Sequence, residues 1–394
     1  MVLVFLPFVA LAGGLGIAAL MAVLGIATAF LAAASTSGRE RPGEWFAALL
    51  AFALWAALSA LWSTYPLPGG LAVLGATPFR ILFGVVAFTV AAGAIVHSAR
   101  RDAAFQHLAL AGFVLLLGLA LVDLASGFEL SQFVDPPGND LRLRLEDARK
   151  NVGRGAVVLL LLLPAAAIAT HRVVGGRAGL AMSAALCLGV AAAGHMSGQM
   201  VVLPSLVVAA VAGAGAWLWP RVGTLVTFGV AGLSLAFAPV LGRVAQNLSA
   251  ERREALPFSA EHRLQMWEYT AAQVSEAPVF GHGFGASRVF DATANIRGFD
   301  MPLLGLHPHN MGLQLWLETG AVGVALACAA VGTLAFRAVE WAHGDVARSS
   351  AVSALVASAT VVGAVSFGVW QEWWWALVFL AAALLCVHLP EREV

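Results

Sequence analysis

The sequence predicts an all-α integral membrane protein with about twelve transmembrane helices. Of its 394 residues, 60% are hydrophobic and only 11% are charged, whereas a soluble globular domain carries about 25% charged residues. A chain this apolar cannot cover a surface that faces water, so it needs lipid as its solvent. Each span requires roughly 20 apolar residues, so the length admits at most about a dozen spans with short loops. We therefore treat residues 1–394 as a single polytopic membrane domain.

Apolar runs define the predicted spans. The first pair of runs is divided at Gly13-Gly14 and the last pair near Phe367-Gly368, and either pair could instead be one long helix. The chain opens in an apolar run without a basic segment or a convincing cleavage site, so we expect no removed signal peptide. The runs lie at 2–12, 15–33, 45–62, 76–97, 105–126, 155–170, 178–196, 200–218, 222–242, 309–336, 350–367 and 369–388.

Charge in the short connections predicts the orientation of these spans. If the N-terminus is cytoplasmic, the short connections on the opposite side, at 63–70, at 195–199 and near 367, carry no Lys or Arg. The connections and the tail on the cytoplasmic side carry Arg39, Arg41, Arg100, Arg101, Arg172, Arg177, Arg221, Arg337, Arg348 and Arg392. This is the positive-inside pattern. It predicts twelve spans with both chain ends in the cytoplasm.

Two longer segments, 127–154 and 243–308, lie outside on this topology and carry charges of both signs. We predict that the function resides in them and in the helix ends that flank them. The second segment contains a predicted helix that begins with a cap at Ser259 and runs to about Ser275, before Pro278. Its apolar residues recur at helical spacing, which indicates an amphipathic helix in the membrane interface. They are Leu264, Trp267, Ala271 and Val274.

Two features of this segment are candidate anion sites. Arg263 lies one turn before Trp267, where it would reach headgroup depth, although a solvated or snorkelling arginine explains the position equally. The stretch 281–285, Gly-His-Gly-Phe-Gly, is a glycine-rich turn. Such a turn can expose backbone N–H groups to an anion.

The strongest signal is His307-Pro308-His309-Asn310, before the tenth span. Pro308 suits the first helical position, which would place His309 and Asn310 in the first turn. The free N–H groups and the positive dipole end there would attract a phosphate group of a lipid-linked substrate. Trp316, Gly320 and Gly323 fall on the face of His309. These glycines could also serve only to let a neighbouring helix approach.

Ionisable residues inside spans are the remaining candidates. Glu318 lies on the opposite face of the tenth span, where it is either a functional site or an anchor for a discontinuous helix nearby. The same two interpretations apply to Arg80 in the fourth span. The stretch 370–375, Trp-Gln-Glu-Trp-Trp-Trp, fits an aromatic belt. Within it, Gln371 and Glu372 could also line a path for an acceptor.

Together these residues resemble the O-antigen ligases, a branch of the O-antigen ligase and polymerase superfamily. His309-Asn310, nine further residues and then 320–323, Gly-Ala-Val-Gly, match the pattern His-Asn-x9-Gly-x-x-Gly. The stretch 58–63, Leu-Ser-Ala-Leu-Trp-Ser, is also similar, as is the loop pattern that runs from Arg263 to the glycine-rich turn. The Trp-Gln-x-Trp-Trp stretch at 370–374 fits as well.

The resemblance implies a twelve-span fold like that of the GT-C glycosyltransferases, with a large periplasmic loop, in the bacterial inner membrane. It implies transfer of an O-polysaccharide from undecaprenyl diphosphate to a sugar hydroxyl of lipid A-core, on the periplasmic face and without metal or cofactor. His309 and Arg263 would be catalytic. The further candidates for substrate binding are Arg154, with Arg144 as the fallback, and His307, Asn310, Arg80, Glu318 and Trp267. The expected partners are this donor, this acceptor and membrane lipids, with no nucleic acid.

The chemistry of the residues agrees with this resemblance. Displacing a sugar from a diphosphate leaves extra negative charge, which must be stabilised as it develops. The outside segments contain no compact cluster of metal-ligand residues, so arginines with forked donors and permanent charge are the alternative. Histidine suits the acceptor hydroxyl. An O-antigen polymerase and a protein O-glycosyltransferase use the same donor and stay open. So does a lipid or polysaccharide transporter, although the crowding of polar residues at one interface disfavours it.

Overall fold

The computed structural model describes residues 2–33, 43–99, 103–134 and 141–388. It is 79% helical. The apolar helices are α1 (Val2–Leu11), α2 (Gly16–Ala33), α3 (Glu44–Ser59), α4 (Thr77–Ala99), α5 (Ala103–Ala125), α7 (Leu141–Val174), α8 (Gly176–Met196), α9 (Val202–Leu218), α10 (Pro220–Ala236), α14 (Met311–Ala342), α15 (Val346–Val365) and α16 (Glu372–His388). The connecting segments contain α6 (Glu129–Val134), α11 (Ala238–Gln246), α12 (Ala250–Glu254), α13 (Phe258–Glu276) and an antiparallel pair of strands, β1 (Thr293–Ile296) and β2 (Phe299–Pro302).

Each predicted apolar run corresponds to an observed helix. The division between the first two runs is confirmed, because α1 ends at Leu11 and α2 begins at Gly16. Gly13 and Gly14 between them have φ values of 86° and 75°, which glycine adopts far more easily than other residues. The last two runs are also separate helices. Five of the arginines used for orientation lie outside the described residues, namely Arg39, Arg41, Arg100, Arg101 and Arg392.

The number of spans stays a prediction. Among the described residues, six helices are long and apolar enough to cross a membrane, or seven if α10 and α11, bent by 60°, form one span. Four further apolar helices have only 10–17 residues, and at about 1.5 Å per residue they are shorter than a hydrocarbon core of about 30 Å. The architecture is therefore that of an all-α, multi-pass membrane protein.

The two predicted outside segments contain more helix than expected. Residues 129–134 form α6, and the part of 127–154 from Leu141 onward is already the beginning of α7. In the second segment the predicted helix is present as α13, which begins one residue before Ser259 and follows Pro257 as its cap position. Residues 135–140 lie outside the described part of the chain.

The buried side of α13 faces protein, and its position in the membrane interface stays a prediction. Its buried residues are Glu261, Met266, Thr270, Ala271 and Val274. This face is rotated from the predicted stripe, since Leu264 and Trp267 are only half-buried. The helix packs on α11 and α14. Its remaining exposed side is therefore narrower than the sequence pattern suggested.

The bend between α10 and α11 is closed by α14. The indole N–H of Trp316 donates to the carbonyl oxygens of Leu235 and Ala236, at 3.0 and 3.1 Å. A Cβ atom on Gly312 would lie 2.7 Å from the Cβ of Ala238, so only glycine allows this approach. These contacts fix the beginning of α14 against the bend.

Helix α14 is broken at Gly320, which has φ 63° and ψ −167°. The glycine-rich stretch 278–285 fills the break. The carbonyl oxygens of Leu317 and Glu318 accept from the N–H groups of residues 282 and 283, at 2.8 and 3.0 Å. The N–H groups of residues 321 and 322 donate to the carbonyl oxygens of residues 278 and 279. Because an unpaired backbone group in hydrocarbon costs several kcal/mol, this stretch makes the break affordable.

The two glycines at this crossing are required by space as well as by conformation. A Cβ atom on Gly281 would lie 2.6 Å from the carbonyl carbon of Glu318, and one on Gly320 would lie 2.3 Å from the carbonyl oxygen of Val279. The indole N–H groups of Trp55 and Trp62 donate to the carbonyl oxygens of Thr319 and Gly281, at 3.1 and 3.2 Å. Helix α3 thus braces the break from the side, and the motif at 58–63 is brought to the glycine-rich turn.

The prediction that the turn at 281–285 binds an anion is wrong. Each of its five N–H groups already donates to a protein acceptor: the carbonyl oxygens of Ala277, Leu317, Glu318 and Ser59, and the Glu318 carboxyl group. No N–H group is left for a ligand. The turn is a structural plug for α14.

Candidate active site

The segment 307–310 is an irregular turn that precedes α14. The helix begins at Met311, and Asn310 is its N-cap, with Oδ1 accepting from the N–H of Leu313 at 2.9 Å. The prediction that Pro308 opens the helix, with His309 and Asn310 in its first turn, is therefore wrong. Asn is a strong N-cap residue, and its side chain fixes the helix start at Met311, three residues later than the proline signal does.

This N-cap also changes the role of Asn310. Its side chain is 2% exposed and its oxygen is used by the helix. The N–H of His309 donates to Nδ1 of His307, at 3.2 Å. The structure therefore gives Asn310 a capping role in place of the predicted contact with substrate.

The backbone of His309 has a φ value of 52°, which residues other than glycine rarely adopt. Such strain is found most often at functional sites. Its ring nitrogen Nδ1 lies 2.6 Å from the carbonyl oxygen of Ser366. A carbonyl oxygen only accepts, so Nδ1 must carry the proton of this bond. In the neutral ring Nε2 then keeps its lone pair and is available to accept a proton.

The surroundings of His309 favour the neutral ring. Burial lowers the pKa of His309, and the positive charges of Arg263 and His262 lower this pKa further, while the hydrogen bond to Ser366 opposes the shift. The guanidinium group of Arg263 is therefore close enough to influence the imidazole.

Arg263 is a half-buried cation without a partner. Its Nε atom is buried and makes no hydrogen bond, and among the described residues none forms an ion pair with it. Burial lowers the pKa of its guanidinium group, but an arginine stays charged at physiological pH. A charge removed from water normally requires an anionic partner. Arg263 is therefore a candidate for binding an anion.

His307 packs beside His309, with 4.5 Å between ring centroids. Burial, with smaller contributions from His309 and Arg288, lowers the pKa of His307 to about 3. Its ring is therefore neutral at physiological pH. A Cβ atom on Gly368 would lie 2.8 Å from this ring, and Nε2 of Gln371 lies 3.4 Å from its Nε2.

Helix α13 positions both the cation and the histidine turn. The indole N–H of Trp267 donates to the carbonyl oxygen of Pro308, at 3.0 Å. Arg263 and Trp267 are four residues apart, so they lie on one face of α13. Trp267 thus holds the backbone that carries His309. The predicted contact of Trp267 with substrate stays a prediction.

Glu318 is an anchor, the second of the two interpretations of this residue. It is fully buried. Its carboxyl group accepts from Gln314, Ser287 and Trp370, at 3.1, 2.6 and 2.6 Å, and from the N–H of Gly285. It joins α14 to the glycine-rich turn and to the beginning of the last helix. A substrate cannot reach it.

Arg154 lies near the first two helices. It donates to Oδ1 of Asn151, at 3.2 Å, and its Nη1 atom would lie 3.3 Å from a Cβ atom on Gly13. Among the described residues, no direct contact joins Arg154 to the histidine turn. Its role in binding substrate stays a prediction.

Arg144 and Arg80 are placed differently. The Nε atom of Arg144 is buried without a hydrogen bond, and no contact among the described residues links it to the histidine turn. Arg80 forms an ion pair with Glu372, at 3.0 Å. That partner favours the structural interpretation of Arg80, and it also engages the glutamate that was considered for an acceptor path.

The sequence did not indicate two groups that act on the histidine pair. The carbonyl oxygen of Ser366 is a backbone group, and no residue pattern marks it. Arg288 follows the glycine-rich turn in an irregular stretch, without the periodicity that singled out Arg263. Among the residues that the structure describes, no three His, Cys, Asp or Glu side chains converge to form a candidate metal site.

Curated proteins from Rickettsia are similar to part of this chain. A Rickettsia prowazekii protein named "Putative polysaccharide ligase" is 31% identical over 166 residues, 40% of each chain. Proteins with that name from Rickettsia typhi and Rickettsia bellii are 29% identical over 165 and 170 residues, 40% and 41% of each chain. The match thus spans about two fifths of the length of these relatives. No protein-family model and no solved structure matches. The relatives support a ligase-type function in general.

Proposed function

We propose that this protein is a polysaccharide ligase, a glycosyltransferase that moves an O-polysaccharide from undecaprenyl diphosphate to a sugar hydroxyl of lipid A-core on the periplasmic face of the inner membrane. One observation carries the proposal: the unpartnered, half-buried guanidinium group of Arg263 lies beside a neutral His309 whose Nε2 atom is available as a base. The named relatives and the sequence resemblance point to the same class of reaction.

On the donor side, the diphosphate supplies the anion that Arg263 lacks. A guanidinium group offers forked donors that match phosphate oxygens. The half-buried position weakens screening by water, so its charge acts more strongly on a bound anion than it would in solvent. Arg154 is the proposed second arginine for the diphosphate.

On the acceptor side, His309 takes the proton. The hydroxyl oxygen of the acceptor forms a bond to the anomeric carbon of the donor sugar, while Nε2 of His309 accepts the hydroxyl proton. The bond between that carbon and the diphosphate oxygen breaks, and its electron pair leaves with the diphosphate, facing Arg263. The proton then passes from His309 to the released diphosphate or to water.

Binding of the diphosphate also makes His309 a stronger base. In the free protein the charge of Arg263 lowers the pKa of His309, which makes the ring a weak base. An anion between the two residues offsets this charge, so the pKa of His309 rises when the donor binds. The site thereby becomes a better base only when there is a substrate to attack.

The physiological role is tested by deleting the gene and separating the lipopolysaccharide on a gel. Loss of a ligase leaves long polymer on the lipid carrier and none on the core. Loss of a polymerase leaves at most one repeat on the core, and that pattern would contradict the proposal. Complementation with the wild-type gene and with His309→Ala, expressed at equal levels, links the phenotype to this site.

A further inference from the structure

A small cleft lies next to the His307 side of the candidate active site. Its volume is about 130 Å³. It is formed by four parts of the chain: the segment after α3, the beginning of α4, the stretch from Phe284 to Arg288, and Trp370 before the last helix. Its lining includes Tyr65, Leu67, Thr77, Phe284, Arg288 and Trp370. Neither the proposed donor contacts nor the proposed base uses this cleft.

The cleft carries a cation without an acidic partner. Arg288 donates from Nη1 to the hydroxyl oxygen of Tyr65, at 3.3 Å, and its guanidinium carbon lies 5.4 Å from the centroid of that ring. Among the described residues, no carboxylate forms an ion pair with it. Its remaining N–H groups are exposed. The arginine is thus oriented by an aromatic ring and can bind an anion.

Glu318 holds the walls of the cleft beside Arg288. The Glu318 carboxyl group accepts from the N–H of Gly285, from the hydroxyl of Ser287 and from the indole of Trp370. A Cβ atom on Gly285 would lie 2.9 Å from the Tyr65 ring. Fixed walls reduce the ordering cost of binding, which is typical of a preformed ligand site.

The stretch before the last helix links the cleft to the histidine pair. Trp370 lines the cleft, and a Cβ atom on Gly368, two residues earlier, would lie 2.8 Å from the His307 ring. The rings of His307 and His309 lie 4.5 Å apart, from centroid to centroid. If the donor diphosphate binds Arg263, this cleft offers the acceptor a separate approach to His309.

The size of the cleft limits what it binds. A cavity of about 150 Å³ holds one benzene molecule, so this cleft accommodates a group no larger than about one six-membered ring. It cannot enclose an oligosaccharide. Aromatic and apolar walls suit the C–H face of a sugar ring, and Arg288 suits a carboxylate or a phosphate.

We propose that this cleft binds one anionic sugar unit of the acceptor saccharide, with its carboxylate or phosphate on Arg288. This inference rests on the proposed transferase function and adds the chemical class of the acceptor group. A neutral saccharide would leave Arg288 without its anion. The acceptor must therefore carry a negative charge near the hydroxyl that reacts.

Equilibrium binding tests the cleft without relying on transfer. The full-length protein is placed in nanodiscs of phosphatidylcholine and titrated with three probes: a phosphorylated core oligosaccharide, the same oligosaccharide after phosphatase treatment, and undecaprenyl diphosphate. The variants are Arg288→Ala, Arg288→Lys, Arg263→Ala and Arg252→Ala, the last being a matched exposed arginine away from the site. Thermal melting confirms that each variant is folded.

We expect Arg288→Ala to weaken binding of the phosphorylated oligosaccharide by roughly 10-fold to 100-fold, with Arg288→Lys between the two. The affinity of Arg288→Ala for undecaprenyl diphosphate should equal that of the wild type. Arg252→Ala should bind every probe with wild-type affinity. Equal binding of the phosphorylated oligosaccharide by wild type and Arg288→Ala would overturn the proposal. So would equal binding, by the wild type, of this oligosaccharide and of the dephosphorylated probe after its carboxylates have also been reduced to alcohols.

Two further arms separate this inference from its alternatives. Repeating the titration in nanodiscs that contain phosphatidylglycerol shows whether an anionic lipid occupies the cleft. Loss of oligosaccharide binding in these nanodiscs would assign Arg288 to a lipid headgroup. It would overturn the proposal that the cleft binds a saccharide. Arg263→Ala reports on the proposed function alone: if it keeps normal affinity for undecaprenyl diphosphate, the donor assignment fails while the result for Arg288 still stands.

Discussion

The surroundings of Glu318 and those of His309 are neighbouring regions at the beginning of α14. They differ in whether their polar groups have partners within the protein. Around Glu318 every hydrogen-bonding group is satisfied, and the carboxyl group alone accepts four bonds. Around His309, Nε2 is available, Arg263 has no partner and the backbone is strained. The first region holds the architecture together. The region around His309 has polar groups available for a ligand, and we propose that binding and chemistry occur there.

Removing the proposed base gives the largest expected effect. In His309→Ala, turnover should fall by about 10²–10⁴-fold, the usual contribution of a general base. The assay follows transfer from a lipid-linked donor by the detergent-purified protein. Trp267→Phe is a useful comparison, because it removes the hydrogen bond to Pro308 and disturbs only the position of the histidine turn. Wild-type turnover in His309→Ala would make the motif structural.

Removing the unpaired cation should have the next largest effect. We expect Arg263→Ala to lower kcat/KM for the donor by roughly 10²-fold, because two charge-assisted hydrogen bonds are lost. Arg263→Lys keeps the charge but loses the forked geometry, so its kcat/KM should lie between those of the wild type and the alanine variant. Kinetics at saturating acceptor measure this. An Arg263→Lys enzyme as active as the wild type would argue against bidentate phosphate binding.

In the satisfied region a substitution should act mainly on stability. Glu318→Ala leaves three buried donors, on Gly285, Gln314 and Trp370, without this acceptor, at about 1–3 kcal/mol each. We therefore expect the free energy of unfolding to fall by about 3 kcal/mol or more, and the melting temperature to fall with it. The matched control is Glu340→Ala in the same helix, whose exposed ion pair with Arg337 contributes about 0–1 kcal/mol. Equal melting of both variants would contradict the anchor role.

The pH dependence of the open region gives a smaller effect with a defined sign. A base works only when it is unprotonated, and the pKa of His309 is lowered mainly by burial and also by Arg263. The acid limb of kcat/KM should therefore lie below about pH 6.5, the ordinary value for histidine. Arg263→Ala removes a positive charge, so this limb should move to higher pH. A limb that moves to lower pH in the variant would contradict the electrostatic coupling.

The smallest expected effect is that of a chelator. The proposal assigns stabilisation of the leaving diphosphate to arginines, so excess chelator should leave turnover of the purified protein unchanged. The control adds magnesium or zinc back after chelation. Activity that disappears with chelator and returns with the ion would show that the arginine account is wrong.

Local signals predicted the helices and the two central side chains. The apolar runs predicted helices in the correct places because a lipid environment leaves the backbone no other way to satisfy its hydrogen bonds. Arg263 and Trp267 were marked by helical spacing, and His309 by its motif. The count of membrane-crossing helices did not follow, because several apolar helices are shorter than a bilayer is thick.

Features that depend on distant partners were missed or misjudged. The turn at 281–285 looked like an anion site, but its five N–H groups pair with protein acceptors, two of which are carbonyl oxygens of α14 next to the break at Gly320. The start of α14 followed Asn310 instead of Pro308, because a side-chain cap competed successfully with a backbone preference. The tautomer of His309 depends on the carbonyl oxygen of Ser366, 57 residues away. A pattern within one segment cannot encode such contacts.

The most direct test of the central claim measures donor binding in two variants side by side. Wild type, Arg263→Ala and His309→Ala, with matched melting behaviour, are titrated with an undecaprenyl-diphosphate-linked glycan in nanodiscs. The account predicts that Arg263→Ala loses affinity, whereas His309→Ala binds the donor like the wild type and fails only in transfer. If His309→Ala loses donor affinity as severely as Arg263→Ala, the histidine belongs to the diphosphate site. The division of labour between cation and base would then be contradicted.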